Sequence, residues 1–118
     1  MGGLNVSEDN AEYRYVRPLP CVLDEHGVIS GQTVKQLLAK IDEELNELKW
    51  ELGLHPVNST ACEFAEHLRP VERMTIAEEA ADTITSITTM LAALGIYAKI
   101  RNDAQERVNQ KNFERARL

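Results

Sequence analysis

Val34-Lys35-Gln36-Leu37-Leu38-Ala39-Lys40-Ile41-Asp42-Glu43-Glu44-Leu45-Asn46-Glu47-Leu48-Lys49-Trp50-Glu51-Leu52 decides the fold class of this chain. Val34, Leu37, Leu38, Ile41, Leu45, Leu48 and Leu52 recur at steps of three and four, which gathers them on one face of a helix. That face is expected to be core. The helix is expected to begin near Ser30 or Gln32, with Ser30 as N-cap, and to end at about Leu52, before Gly53 and Pro56.

A second long helix is expected from Val71 or Thr75 to Leu94, with Ala77, Ala80, Ile84, Ile87, Leu91 and Leu94 in step and Gly95 as its stop. From Thr83 to Ala98 it carries no charged residue, and Thr85, Ser86, Thr89 and Ala92 lie opposite the apolar stripe. A helix without a charged face is buried on several sides, and a chain this small has little of its own to cover it. A second subunit is the expected cover. Between the two helices, a short amphipathic segment starts at Asn58 or Ser59, carries Ala61, Phe64, Ala65 and Leu68, and closes at Pro70. A last helix is expected from Tyr97 to Arg115, with Ile100, Ala104, Val108 and Phe113 turned inward.

Residues 1–29 hold three of the six glycines and two of the four prolines, and show no helical period. They read as an extended, irregular N-terminal arm with one short strand, its β-leaning stretches being Tyr13-Arg14-Tyr15-Val16 and Cys21-Val22-Leu23. Residues 30–118 form the domain proper. The fold class is all-α: a helical hairpin or bundle of about four helices, completed by homo-oligomerisation. Aromatics at 5% and a second half rich in Ala, Leu, Glu and Lys agree with this.

The formal net charge of −6 argues against binding a nucleic-acid polymer over the general surface. Charge is unevenly placed: residues 42–82 carry eleven acids against Lys49, Arg69 and Arg73, whereas residues 99–118 carry six basic residues against three acids. An acidic middle and a basic tail suit an anionic ligand held through cations. Cys21 and Cys62 form no CxxC pair, so neither a redox motif nor a zinc knuckle is indicated. No apolar run approaches the roughly 18 residues of a membrane span, and the polar start is unlike a signal peptide. A cytoplasmic protein without membrane attachment is expected.

Glu44 and Glu47 are three residues apart and flank the apolar stripe of their helix. Glu79 and Asp82 repeat the spacing just before the charge-free stretch. Two such pairs on antiparallel helices can converge into one pocket, where like charges repel unless a cation is present. Carboxylates are hard ligands suited to Mg²⁺, with Mn²⁺ as substitute, and no His follows a Glu at the spacing of a di-iron bundle site. In this arrangement Glu44, Glu47, Glu79 and Asp82 are the metal ligands, and Glu44 or Glu47 is the general base. Lys111 and Arg115, on successive turns, and Asn112 beside them are candidates for phosphate or sugar contacts. Trp50 is a candidate for stacking on a base.

The segments Asp42-Glu43-Glu44-Leu45-Asn46-Glu47-Leu48 and Ala77-Glu78-Glu79-Ala80-Ala81-Asp82-Thr83-Ile84 resemble the MazG-like all-α nucleoside triphosphate pyrophosphohydrolases. The likeness spans roughly residues 33–115. It includes Val108-Asn109-Gln110-Lys111-Asn112-Phe113-Glu114-Arg115, which resembles the family's Lys-Asn and following Arg. The resemblance implies hydrolysis of a (d)NTP between the α- and β-phosphates, giving a nucleoside monophosphate and pyrophosphate, in a homodimer or homotetramer. A phosphoribosyl-ATP pyrophosphohydrolase, a dimeric dUTPase-like enzyme, or a non-catalytic helical interaction or nucleotide-sensing module are the alternatives.

Overall fold

The computed structural model describes residues 16–116, and the chain is mostly helical. Four helices follow one another: α1 (Val34–Leu52), α2 (Ala61–Glu66), α3 (Pro70–Ala93) and α4 (Ala98–Ala116). Before them a minimal hairpin pairs β1 (Leu23–Asp24) with β2 (Gly27–Val28), antiparallel, with Leu23 opposite Val28. Gly27, at φ 102°, adopts the left-handed conformation that closes this turn. The irregular arm thus ends in a two-strand ribbon and a 3₁₀ turn at Ile29–Gly31. Of the expected strand at Tyr13–Val16, all but Val16 lies outside the described residues.

Local chemistry sets the starts of α1, α2 and α3, and all three differ from expectation, α2 beginning at Ala61 and not at Asn58 or Ser59. The α1 cap is Thr33, not Ser30, which sits in the 3₁₀ turn. Thr33 Oγ1 accepts from Gln36 N at 3.1 Å while Gln36 Oε1 accepts from Thr33 N at 2.9 Å, a reciprocal capping box. Pro70 opens α3 instead of merely closing the segment before it. As the first helical residue it lacks only an N–H that would have gone unused. At the preceding position, Arg69 N donates to Glu72 Oε1 at 2.8 Å. Thr60 caps α2 by accepting from Glu63 N at 3.1 Å. The stop at Gly95 is as expected, with φ 77°.

The dominant packing is α1 against α3. On α1, Leu37 is buried and Ile41, Leu45, Leu48 and Leu52 are half-buried, as the periodicity requires, but Val34 and Leu38 are each 48% exposed. The larger correction concerns α3. Much of its expected core stripe is exposed, with Ile84 at 51%, Ile87 at 40% and Leu94 at 48%, whereas Ala80 and Leu91 are half-buried as expected. The half-buried side is made of Ile76, Glu79, Ala80, Thr83, Ser86 and Met90, and Thr88 and Thr89 are buried. Small residues let the two backbones approach, and the hydroxyls find local partners: Thr83 Oγ1 donates to Glu79 O at 3.1 Å, and Thr88 Oγ1 to Ile84 O at 2.9 Å. Thr89 Oγ1 accepts from Cys21 N at 2.9 Å, so the segment before the hairpin lies against α3.

The α1–α2 connection is tied to the start of α3. His55 Nε2 lies 3.7 Å from Glu72 Oε2, the His55 ring meets Phe64 edge-on at 5.6 Å, and Arg73 Nη2 donates to Ala65 O at 2.7 Å. Helix α4 has no comparable packing along its length. Ile100, Val108 and Phe113, expected to turn inward, are 57%, 41% and 58% exposed. Ile100, Ala104 and Val108 instead face Ile84, Ile87 and Leu91 across an open groove of about 440 Å³. The radius of gyration is 17.0 Å, against about 13 Å for a compact chain of this length. Among the described residues no helix is long and apolar enough to cross a membrane.

Candidate metal centre

At about 100° per residue, Lys40, Glu44, Glu47 and Glu51 fall along one edge of the α1 stripe. Glu79 and Asp82 fall along one edge of the α1-facing side of α3. Antiparallel packing brings the two edges together, and one carboxylate oxygen from each of Glu44, Glu79 and Asp82 lies within 4.8 Å of the others. Glu44 and Glu79 are half-buried and Asp82 is exposed, so the cluster opens to solvent on one side. Ile84, Ile87 and Leu91 lie on the opposite flank of α3, so the acids and the apolar groove occupy different sides of one helix.

The cluster is short of positive charge. Glu79 Oε2 is buried and has no hydrogen-bond partner, a costly condition for a carboxylate oxygen. Glu47, one turn beyond Glu44, stands beside the three. Its pKa is raised, chiefly by the negative charge of Glu44, then by desolvation and a hydrogen bond with Glu44, with Glu79 and Glu43 adding to the repulsion. The nearest compensation is Lys40, whose Nζ lies 3.1 Å from Glu44 Oε1, 3.6 Å from Glu43 and 3.9 Å from Glu25 in the hairpin turn. The Glu44 hydrogen bond holds the Lys40 pKa above its usual value despite partial burial. Lys40 did not figure among the sequence-derived candidates. The signal for it was present in the i, i+4 spacing to Glu44.

All donors in the cluster are carboxylate oxygens, with neither thiolate nor imidazole among them, which suits a hard divalent cation over a soft one. The unpartnered Glu79 oxygen and the open face at Asp82 fit a cation that keeps part of its water shell. Of the eight residues singled out from sequence, the structure gathers Glu44, Glu79 and Asp82 and sets Glu47 next to them. Trp50 is 67% exposed on α1, three residues past Glu47. Lys111, Asn112 and Arg115 are exposed on α4, and none pairs with a cluster acid among the described residues. No family model, no curated protein and no solved structure matches this chain.

Proposed function

We propose that this chain is a Mg²⁺-dependent nucleoside triphosphate pyrophosphohydrolase that acts as a homo-oligomer and converts a (d)NTP to the monophosphate and pyrophosphate. One observation carries the reading: carboxylates from two helices converge to within 4.8 Å, and one of their oxygens is buried without a partner. Glu44, Glu79 and Asp82 would hold the ion. When bound there, Mg²⁺ supplies neutralisation of the triphosphate oxygens and of the departing pyrophosphate. Glu47 is better suited than Glu44 to accept a proton from the attacking water. It stands outside the set of three, one turn beyond Glu44, and so would remain able to take a proton beside the ion. Lys111 and Arg115 would meet phosphate charge, Asn112 phosphate or sugar, and Trp50 the base.

Assembly belongs to the same reading. Ile84, Ile87, Ile100 and Val108 leave an apolar groove open on the isolated chain, and a second copy is the proposed cover. The test is incubation of the pure protein with a panel of canonical and modified dNTPs and NTPs in Mg²⁺, with products identified. Release of pyrophosphate and a monophosphate, abolished in Glu47→Gln, is expected. Absence of pyrophosphate from every member of the panel would overturn the proposal.

A further inference from the structure

We infer that Lys40 is the resident counterion of the metal-free carboxylate cluster, its ammonium seated on Glu44 until a divalent cation displaces it toward Glu43 and Glu25. The inference rests on the metal-site reading of Glu44, Glu79 and Asp82 proposed above. It adds how that site is held ready without its ion.

Three observations carry it. First, among the described residues Lys40 is the one cation within 4 Å of any cluster carboxylate, and the acid that it meets at 3.1 Å is well covered, with its side chain only 12% exposed. Second, two further carboxylates are already within 4 Å of the same ammonium, Glu43 at 3.6 Å and Glu25 at 3.9 Å, and both are half exposed, at 52% and 58%. A flexible four-carbon stem can therefore exchange Glu44 for either acid with a small movement and no loss of pairing. Third, Glu44 cannot serve both cations fully. A carboxylate oxygen ligating Mg²⁺ sits about 2.0–2.1 Å from it. An ammonium still hydrogen-bonded to that carboxylate would then face the ion across a few ångströms of poorly solvated space.

Lys40 thereby relieves the crowding of acids in the apo protein and competes with the metal for Glu44. Because Glu25 belongs to the turn between β1 and β2, displacement also draws the ammonium toward the N-terminal hairpin.

Mn²⁺ titration of the full chain, by calorimetry and by the loss of the free-ion paramagnetic signal, tests this in native protein, Lys40→Met, Lys40→Gln and Lys40→Arg. Melting temperatures with and without Mn²⁺ accompany each titration. The two neutral variants are expected to bind Mn²⁺ about fivefold or more tightly than native protein and to lose stability mainly when the metal is absent. Lys40→Arg, whose guanidinium grips a carboxylate with two hydrogen bonds, is expected to bind it more weakly than native. Mn²⁺ affinity in both neutral variants within twofold of native, or weaker, overturns the inference while leaving the metal site standing. If native protein binds no Mn²⁺, or binds it equally well in Glu79→Gln, the metal reading fails and the inference falls with it.

Discussion

Replacing Glu79 by Gln should reverse the order of stability between variant and native protein according to whether metal is present. Glu79, Glu44 and Asp82 have carboxylate oxygens within 4.8 Å of one another. At that distance a like-charged pair costs about 0.9 kcal/mol in water and about 3.5 kcal/mol at an effective dielectric constant of 20. Asp82 is exposed and Lys40 offsets part of the Glu44 charge, which keeps the two pairs made by Glu79 near the lower end. Their removal is worth about 1–2 kcal/mol to the apo protein. The amide adds to this, since it offers an N–H where Glu79 Oε2 now has no partner. On a domain of this size the melting temperature rises by about 4 °C per kcal/mol.

With metal the sign changes. Native protein at a Mn²⁺ concentration about a hundred times Kd gains about 2.7 kcal/mol, and a variant that has lost one ligand gains much less. Differential scanning calorimetry at fixed protein concentration, in EDTA and in Mn²⁺, reads both arms. Glu79→Gln should melt above native in EDTA and below it in Mn²⁺. A variant that melts below native in EDTA, or one that keeps the full metal-induced shift, refutes the reasoning.

Lys111→Ala combined with Arg115→Ala should raise KM for the triphosphate about tenfold or more while leaving the Mn²⁺-induced melting shift intact, since the pair is assigned to phosphate and not to the ion. Ile87→Asp, on the open flank of α3, should dissociate the proposed assembly, read by sedimentation velocity, because a charge placed in an apolar contact is left without solvent or partner. Glu72→Gln should flatten the acid limb of stability. The Arg69 backbone N–H, and then its guanidinium, hold the Glu72 carboxyl below its usual value, so the unfolded chain binds that proton first. Its contribution is present above about pH 4.5 and is lost as pH falls through the folded-state value, which acid titration followed by circular dichroism will show as a shallower loss in the variant.

The two long helices and the pairing of their acids were legible because both follow from spacing alone. Glu44 and Glu47, like Glu79 and Asp82, lie on a helix edge wherever the helix begins, so misplacing the α1 cap at Ser30 instead of Thr33 cost nothing at the site. The side of α3 that meets α1 was not legible. Hydropathy favoured the large residues Ile84, Ile87 and Leu94, whereas close helix contact also favours the small Thr83 and Ser86, whose polar atoms hydropathy counts against burial. Thr83 and Thr88 remove that penalty by donating to the carbonyl four residues back. Lys40 was passed over because a basic residue one turn before a Glu is ordinary helix surface until its neighbours across the fold are known. Glu25, the acid that makes its environment unusual, comes from the hairpin.

The placement of the acids differs from that on a solvated acidic face. On a solvated face, acids point outward or pair with a base three or four residues away, as Arg69 does with Glu72 at 3.2 Å and Lys99 with Asp103 at 3.1 Å. Glu79 does neither: it is half-buried, turned toward Glu44, and no cation of the described chain lies within 4 Å of it. Contacts away from the acids hold it there. The packing of α1 on α3 sets their register, and the His55–Glu72 and Arg73–Ala65 contacts tie the connection between the two helices to the start of α3. A slip of one turn would move α3 by about 5.4 Å and part Glu44 from Asp82, relieving the repulsion. The packing of α1 on α3 therefore holds the carboxylates together against their own charge, an arrangement that a bound cation would stabilise.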